Sequence, residues 1–341
     1  MASRPGLTPI TEAIPPLYAG VDLGGTNIKA ALVDSQGDCL AFHTEPTHAN
    51  RGPEGAARRM GQFVLQLARE AHATPDMIAR VGLGSPGPLD LDRGCIVRAG
   101  NLPGWDNFPL RDRVHQNCGL PVTLTNDANA AAFGEFWVGS GREYDSLVLL
   151  TLGTGVGGGI IIGNLSVQGA HSHGSECGHM IVDTSDSARM CPCGHAGHLE
   201  AYCSATSLVK AARRSIENGA TGSLADAVRA GATLDPILIA QEAESGDQHA
   251  YDLIMDVAQW LGIGIVSLMH IIDPEAVIIG GAMTFGQGNN PIGQSFLERI
   301  QSEVRHRAFP TLADHTVLRY ASLGGDAGSI GAAGLARLAH K

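Results

Sequence analysis

The chain has 341 residues, of which 44% are hydrophobic and 17% are charged, and its formal net charge is -11. This length is typical of two domains with a sizeable core, and the composition is that of a globular protein rather than a disordered one. The acidic balance without a basic stripe argues against a nucleic-acid partner, but it is compatible with an anionic substrate because phosphate is held by local amides and cations.

The first sixteen residues contain no apolar run, so we expect a loose tail rather than a signal peptide or a membrane anchor. The most apolar runs, such as Leu147–Leu152, are too short to cross a bilayer. Seven cysteines without a secretion signal indicate a reducing compartment, in which close cysteine pairs are considered as metal ligands before disulfides. We therefore expect a cytoplasmic protein with no membrane partner.

The first predicted elements form an antiparallel meander. Leu17–Asp22 and Ile28–Asp34 are predicted strands on either side of a Gly-Gly-Thr-Asn turn, and Cys39–Thr44 is a third. Glu54–His72 is a predicted helix because its apolar residues recur at helical spacing. A strand over Ile78–Leu83 follows. The next predicted elements are a strand over Val122–Thr125 and a helix from Ala128 to Trp137.

A second pattern of the same kind begins with Ser146–Leu152, an apolar predicted strand. Gly153–Gly159 is a glycine-rich turn and Ile160–Ile162 a β-branched strand. This order repeats that of the first meander, and so predicts a duplicated fold with a cleft between its halves. The later predicted elements are helices over Ala250–Ile272, Ile292–His306 and Ser329–Leu338 and a buried strand over Ala276–Ile279.

The repeat predicts where the domains begin and end. The tail would cover residues 1–16 and a small α/β domain residues 17–125. The C-terminal helix, at about 328–341, would pack back on this small domain. A large α/β domain would cover residues 126–327.

Gly153–Gly158 satisfies the dinucleotide pattern G-x-G-x-x-G, but that pattern has to open a helix whose N-terminus meets the pyrophosphate. Here the glycines lead into Ile160–Ile162, a run that favours a strand. The sequence therefore argues against a nicotinamide-dependent oxidoreductase. It also contains no G-x-x-x-x-G-K-[ST], so it is not a P-loop protein.

We interpret the two glycine turns as phosphate-binding hairpins. Their backbone N–H groups can cradle phosphate oxygens, and Thr26 and Thr154 can add hydroxyl donors. Asp22 is placed to orient water on a magnesium ion. The alternative is that both are ordinary tight hairpins, which favour glycine in any case. The presence of two such turns, with Asp and Thr nearby, favours the phosphate interpretation.

Five motifs in order resemble the ROK family (repressors, open reading frames and sugar kinases). They are Asp22–Lys29 (DLGGTNIK), Asn126–Glu135 (NDANAAAFGE), Leu152–Gly159 (LGTGVGGG), Glu176–His179 (ECGH) and Cys191–Gly194 (CPCG). The resemblance covers nearly the whole chain and implies an α/β fold of the actin-like ATPase (ribonuclease H-like) type. This duplicated two-domain fold would hold ATP and Mg²⁺ in its interdomain cleft. ROK repressors carry a helix-turn-helix domain before the first motif, where this chain has only a short segment, so the kinase branch is expected.

The resemblance also implies residue roles. Asp127 would be the general base that takes the proton of the acceptor hydroxyl. The alternative is that Asn126 or Asp127 only caps the following helix. The implied sugar ligands are Asn101, Asn126, Asp127, Glu176, His179 and Glu200, together with the backbone around Gly84 and Gly87. The implied ATP and magnesium ligands are Asp22, Gly24, Gly25, Thr26, Asn27, Lys29, Gly153, Thr154, Gly155 and Gly157.

Two of these assignments have alternatives. Asn101 lies in a loop before a tryptophan that is similar to the family's sugar-contacting loop, but it could instead be a loop-capping asparagine. Adenine and ribose are expected near Gly280 and Gly281, with the segment Gly324–Gly331 as a further candidate. The alternative for the glycine pair is a strand-to-helix turn, and that role is compatible with nucleotide binding.

Cys191 and Cys193 lie in a Cys-x-Cys-Gly loop that is too tight for a relaxed disulfide and suits one metal ion. Zinc prefers four Cys or His ligands in a structural site. Members of the family that this chain resembles commonly contain the motif Cys-x-Cys-Gly-x-x-Gly-Cys-x-Glu, and here His198 replaces the last cysteine. We predict a structural Zn²⁺ site of His179, Cys191, Cys193 and His198, with His195 and Cys203 as other candidates for the fourth ligand. The alternative is a pair of free thiols with solvent-exposed histidines.

The predicted function is phosphoryl transfer from ATP to a hexose, with glucose at its 6-hydroxyl as the expected substrate and glycolysis as the expected pathway. N-acetylglucosamine, N-acetylmannosamine, mannose, fructose and allose stay open as alternatives, as does polyphosphate as the donor. A sugar-sensing protein without turnover is the alternative from another class. We expect a homodimer, because relatives are often dimers.

Overall fold

The computed structural model describes residues 6–98 and 102–340. The strands within them are β1 (Leu17–Leu23), β2 (Asn27–Val33), β3 (Cys39–Pro46), β4 (Ile78–Ser85), β5 (Leu89–Asp90), β6 (Cys95–Ile96), β7 (Val122–Asn126), β8 (Ser146–Leu152), β9 (Val156–Ile162), β10 (Leu165–Ser166), β11 (Ala276–Gly281) and β12 (Val317–Tyr320). The α-helices are α1 (Pro53–Glu70), α2 (Leu110–Cys118), α3 (Asp127–Trp137), α4 (Glu200–Cys203), α5 (Ala205–Glu217), α6 (Ser223–Arg229), α7 (Pro236–Glu244), α8 (Gln248–Ile272), α9 (Pro291–Arg307), α10 (Pro310–His315) and α11 (Ala327–Leu338).

The first sheet has the strand order β3-β2-β1-β4-β7. β2 pairs antiparallel with β1 and β3, which confirms the predicted meander, whereas β4 and β7 continue the sheet in parallel. Alternate residues of β1 enter two hydrophobic clusters. Leu17 and Val21 pack with α1 and Tyr18 packs with α11. Both faces of β1 are therefore covered, and the strand is apolar along nearly its whole length.

The second sheet has the order β10-β9-β8-β11-β12. β11 pairs in parallel with β8 and with β12, and β10 pairs antiparallel with β9. The order repeats that of the first sheet strand for strand, so the predicted duplication is confirmed. The glycine pattern opens a strand and no helix, as predicted, but that strand begins at Val156, four residues earlier than predicted. The fold is thus the α/β, two-domain, actin-like fold with two mixed five-stranded sheets.

The described residues form two compact units. The first lies within residues 1–145, 159–175 and 322–341, and the second within 146–158 and 176–321. In the first unit α11 lies very close to the sheet, since a Cβ on Gly20 or Gly82 would lie 1.8 Å from a backbone oxygen of this helix. The predicted domain boundaries at residues 16, 125 and 327 stay predictions.

Residues 8–14 are attached to the first unit, unlike the loose tail that we expected. Thr8 N–H donates to Cys39 O at 2.7 Å, and Ile14 N–H donates to Asp34 Oδ2 at 2.8 Å. Asp34 is fully buried and also accepts bonds from Gln36 and Asp38 N–H. A buried carboxylate needs donors, and the segment before β1 supplies one of them.

α8 is the one helix of the described residues that is long and apolar enough to cross a membrane, but 56% of its most apolar stretch is buried inside the protein. Its buried side chains, such as Ile254, Leu261 and Ile265, belong to the core of the second unit. The helix matches the predicted span Ala250–Ile272, and its apolar character is explained by this burial.

Candidate active site

The first glycine turn joins β1 to β2 and is closed by a bond from Gly24 N–H to Asn27 O at 2.9 Å. Thr47 holds the turn from the end of β3. Its N–H donates to Thr26 O at 2.8 Å and its hydroxyl donates to Gly24 O at 2.6 Å. Thr47 is fully buried, whereas Gly25 and Thr26 are exposed at the tip. Thr47 lies outside all five motifs and was not predicted from the sequence.

Asp22 lies at the end of β1, in register with Lys29 on β2 and Gly84 on β4. A Cβ on Gly84 would lie 3.6 Å from Asp22 Oδ1 and 3.7 Å from the Cα of Asp127, so this glycine leaves room between the two acidic residues. Burial raises the pKa of Asp22 to about 7; the negative charge of Asp127 adds to the rise and Lys29 opposes it. The two carboxylates therefore affect each other electrostatically.

The segment before and at the start of α11 contacts the same residues. Gly325 O accepts a bond from Lys29 Nζ at 2.5 Å. A Cβ on Gly328 would lie 2.6 Å from Asp22 Oδ2, so glycine is required there for the close approach. The structure thus places part of Gly324–Gly331 beside Asp22 in the first unit. A role for this segment in binding adenine stays a prediction.

Asn126 and Asp127 lie where β7 ends and α3 begins. Asn126 is the N-cap residue, and its Oδ1 accepts bonds from Ala128 N–H at 2.9 Å and from Asn129 N–H at 3.2 Å. Asp127 is the first helical residue, and its Oδ1 also accepts a bond from Ala128 N–H, at 2.8 Å. Capping is therefore carried mainly by Asn126, and it does not by itself account for the carboxylate at 127.

The predicted sugar loop is described in part. Gly87 lies beside Asn126, since a Cβ on Gly87 would lie 3.8 Å from Asn126 Nδ2. Asn101 lies outside the described residues. Leu102 and Trp105, which follow it, are fully buried, and the Trp105 ring contacts Phe108 with centroids 5.9 Å apart.

The second glycine turn joins β8 to β9 and lies against the first turn of α5. Gly153 N–H donates to Gly155 O at 3.0 Å. Ala205 N–H donates to Gly153 O and the Thr206 hydroxyl donates to Thr154 O, both at 2.8 Å. Gly157, predicted as part of the turn, lies within β9 instead.

Glu200, the first residue of α4, links this turn to the cysteine loop. Its Oε2 accepts a bond from Val156 N–H at 2.9 Å, and its Oε1 lies 3.7 Å from Cys191 Sγ. A Cβ on Gly155 would lie 2.3 Å from Glu200 Oε2, so glycine is needed for this approach. The same carboxylate lines a pocket between α5 and α8, with Lys210 among its polar residues.

His179, Cys191, Cys193 and His198 converge, with one ligand atom of each within 4.8 Å of all the others. His179 Nδ1 lies 3.3 Å from His198 Nδ1 and 3.9 Å from Cys191 Sγ, and Cys193 Sγ lies 3.2 Å from His198 Nδ1. A tetrahedral zinc ion, with bonds of about 2.3 Å to sulfur and 2.0 Å to nitrogen, separates its ligands by roughly 3.3–3.8 Å. The cluster fits a structural zinc ion with the predicted ligands.

The other two candidates for the fourth ligand fit less well. Cys203 is fully buried and its Sγ contacts Val257 O at 3.5 Å, away from the cluster. His195 Nδ1 lies 3.8 Å from Cys193 Sγ, but His195 does not belong to the group of four. Burial raises the pKa of Cys191 to about 12, so a thiolate there requires a cation such as zinc.

Glu176 and His179 lie at the two ends of one turn, with Glu176 Oε2 4.0 Å from His179 Nε2. Because His179 Nδ1 faces the cluster, Nε2 is the ring nitrogen left for another contact. A Cβ on Gly178 would lie 2.1 Å from Val156 O, so this glycine lets the turn approach the start of β9. The motif residues Glu176 and His179 are thereby fixed close to the second glycine turn.

Gly280 and Gly281 end β11 beside the end of β8, with Gly281 in register with Leu152. Gly281 has a φ of 92°, and a Cβ there would lie 2.2 Å from Leu152 O. The glycine pair therefore has a structural reason of its own, although it is not a direct strand-to-helix turn, since the next α-helix, α9, begins only at Pro291. Binding of adenine and ribose at this position stays a prediction.

The family model for the ROK family matches residues 18–339. Glucokinase of Halalkalibacterium halodurans is 33% identical over 92% of this chain and 93% of its own length. A xylose repressor of Caldicellulosiruptor bescii is 31% identical over 90% of this chain and 74% of its own length. N-acetylmannosamine kinase of Escherichia coli is 31% identical over 93% of this chain and 97% of its own length.

Two solved structures are similar over nearly the whole chain. A ROK hexokinase from Thermus thermophilus has a TM-score of 0.79 and 32% identity, covering 95% of this chain and 98% of that one. A ROK family glucokinase from Streptomyces griseus, in complex with glucose and AMPPNP, has a TM-score of 0.75 and 34% identity. That match covers 94% of this chain and 99% of that one.

Proposed function

Because the chain belongs to the ROK family, we propose that it is a kinase that transfers the terminal phosphoryl group of ATP to the 6-hydroxyl of glucose. Glucokinase relatives at 33–34% identity over most of both chains support the substrate. The repressor and N-acetylmannosamine kinase relatives show that family membership does not select the activity by itself. The choice of a kinase therefore depends on the residues of the site.

The observation that carries the proposal is the pair of carboxylates Asp22 and Asp127, held on either side of Gly84 beside the first glycine turn. Asp127 raises the pKa of Asp22, so the two groups are unfavourable neighbours when both are ionised. Such a pair is costly to keep in a protein that only binds a sugar. It suits a site in which one carboxylate faces a divalent cation and the other removes a proton.

In the proposed mechanism Asp127 accepts the proton of the sugar hydroxyl as that oxygen bonds to the terminal phosphorus of ATP. The bond from this phosphorus to the bridging oxygen breaks, and ADP leaves with the electron pair. The N–H groups of the two glycine turns and the ammonium of Lys29 would hold the phosphate oxygens. The protein thereby contributes mainly position and charge, since phosphoryl transfer needs little covalent chemistry from side chains.

Bound Mg²⁺ would neutralise the phosphates, and Asp22 is the residue that would orient its water ligands. The zinc cluster would have an architectural role, since it fixes the loop that carries His179 and leaves Nε2 of that histidine to contact the sugar. The sugar ligands would be the residues that the family resemblance implies, among them Asn126, Asp127, Glu176 and Glu200. Each ring hydroxyl both donates and accepts hydrogen bonds, so a hexose needs such a mixture of groups.

An assay that couples ADP formation to NADH oxidation, run with ATP, Mg²⁺ and a panel of hexoses, tests the proposal. We expect glucose to give the highest kcat/KM, with one ADP per sugar phosphate and the new phosphate at the 6-position by ³¹P NMR. A higher kcat/KM with N-acetylmannosamine or another sugar would change the assigned substrate. Glucose binding by calorimetry without ADP formation from any sugar would refute the kinase proposal and favour a sensor.

A further inference from the structure

Glu135 lies in the last turns of α3, and its carboxylate is fully buried. It accepts bonds from both sides. From the segment after α3, Ser140 donates through its N–H at 2.8 Å and its hydroxyl at 2.9 Å. From the segment before α11, Ser322 N–H donates at 3.0 Å and Leu323 N–H at 2.8 Å, and the Ser322 hydroxyl lies 3.2 Å away.

Within residues 6–98 and 102–340, the groups that contact this carboxylate are the N–H and hydroxyl groups of Ser140 and Ser322 and the N–H of Leu323, and none of them is cationic. Its charge is compensated by donors alone, and a carboxylate can accept about four such bonds. A buried carboxylate of this kind is expensive unless every oxygen is satisfied. A leucine or methionine would be the simpler way to fill a buried helix position, so the carboxylate is present for what it holds.

Glu135 holds the segment before α11, which leads to the residues that contact Lys29 and Asp22, two proposed ligands of magnesium-ATP. Ser322 is the first residue of the stretch by which the chain returns to the first unit. Three residues later, Gly325 O accepts the bond from Lys29 Nζ, and Gly328 lies against the carboxylate of Asp22. The positions of both groups therefore depend on where residues 322 and 323 are fixed.

We infer that Glu135 is a positioning residue for magnesium-ATP: through Ser322 and Leu323 it fixes the start of α11 and thereby the placement of Lys29 and Asp22. This inference rests on the proposed kinase function. Asp127 begins the helix that contains Glu135, so α3 supports the site from both of its ends. In the sequence, Glu135 is the glutamate that ends the motif Asn126–Glu135, and no role was predicted for it.

The substitution Glu135→Gln tests this directly. An amide oxygen can keep two of the donors, but the amide NH₂ faces the others, so at least two N–H or O–H groups lose their acceptor. We expect KM and Kd for magnesium-ATP to rise about tenfold, whereas KM for glucose changes less than about twofold. Steady-state kinetics with each substrate varied, and calorimetry with magnesium-AMPPNP, give the two readouts.

A pair of milder variants keeps the test decisive if Glu135→Gln fails to fold. Ser322→Ala and Ser140→Ala each remove one hydroxyl donor to the same oxygen of Glu135. Only Ser322 lies on the segment that contains Gly325, whose carbonyl oxygen accepts the bond from Lys29. We expect Ser322→Ala to raise KM for ATP about two- to threefold, as the loss of one weak bond implies, and Ser140→Ala to leave it unchanged.

Equal effects of the two serine variants, or a Glu135→Gln protein with lowered Tm but wild-type KM for ATP, would overturn the inference and leave Glu135 a purely structural residue. An increase of both KM values in parallel would overturn it as well. Wild-type protein without turnover would refute the proposed function instead. The AMPPNP titration would still decide whether Glu135 governs nucleotide binding.

Discussion

Replacing Asp22 with Asn is expected to stabilise the nucleotide-free protein while abolishing its response to magnesium-ATP. The folded structure raises the pKa of Asp22 from 3.8 to about 7, chiefly through burial and then through Asp127. At pH 8 the free protein therefore holds an ionised carboxylate in an unfavourable place. Since one pKa unit corresponds to about 1.4 kcal/mol, the destabilisation is at most about 4 kcal/mol.

The pH dependence has a definite sign. Between about pH 4 and pH 7 the folded protein keeps a proton on Asp22 that the unfolded chain has lost. The contribution of Asp22 to stability therefore falls as pH rises through this window, and it is constant above it. Asparagine does not ionise, so the advantage of Asp22→Asn should be near zero at pH 4 and largest at pH 8.

Thermal unfolding of the nucleotide-free proteins at pH 4.5, 6 and 8 measures this difference. With roughly 2–4 °C for each kcal/mol, Asp22→Asn should melt up to about 16 °C above wild type at pH 8. The exposed residue Asp92 provides the control, since Asp92→Asn should behave as wild type. Magnesium-ATP should raise the Tm of wild type and leave that of Asp22→Asn unchanged. An Asp22→Asn protein that is less stable than wild type at pH 8, or an advantage independent of pH, would refute the reasoning.

Two further substitutions test the supports of the site. His198→Ala should not retain zinc, as measured by mass spectrometry, and it should have a higher KM for glucose and a lower Tm; a chelator should have the same effects on the wild-type protein. The control variant His195→Ala should keep one zinc per chain. Full activity of the metal-free protein would contradict this prediction. Thr47→Val removes the hydroxyl that donates to Gly24 O, so KM for ATP should rise about tenfold in steady-state kinetics. Thr47→Ser keeps a hydroxyl and should have a KM for ATP close to that of wild type. Equal KM values of the valine and serine variants would contradict this prediction.

Much of the fold follows from the sequence because its signals are local. The strands on either side of each glycine turn alternate or run apolar, and the two turns repeat, so the duplicated sheets could be predicted. Gly157–Gly159 misled the prediction of where β9 begins. Glycine is a weak local signal for a strand, and here it is required by packing, since a Cβ on Gly159 would lie 2.3 Å from the Cβ of Ala132.

The four-residue metal cluster was predicted from the spacing of Cys191 and Cys193 and from the family resemblance. This was possible because Cys and His are the usual ligands of structural zinc. The contacts that were missed join residues far apart in the chain. The bond from Lys29 to Gly325 spans 296 residues, and those from Ser322 to Glu135 span 187. Thr47 was not predicted for another reason. A threonine after a strand has no distinguishing sequence pattern, and its role is evident only from its bonds to Thr26 O and Gly24 O in the first glycine turn.

The attachment of residues 8–14 was also not predictable. Pro, Thr and Gly in that segment favour an irregular chain, and only the buried carboxylate of Asp34 shows why it is held. Local composition predicts that such a segment has no helix or strand. It does not predict whether a distant acceptor fixes it.

The role of Asp127 is the claim on which the account depends, and Asp127→Asn tests it with almost no change in volume. We predict that this variant binds glucose with a Kd within about threefold of wild type, while its kcat for ATP-dependent phosphorylation falls at least a hundredfold, the usual range for loss of a general base. Glucose titration by calorimetry and the coupled assay on the same preparation measure both. A variant that binds glucose normally and keeps the wild-type kcat would contradict the assignment.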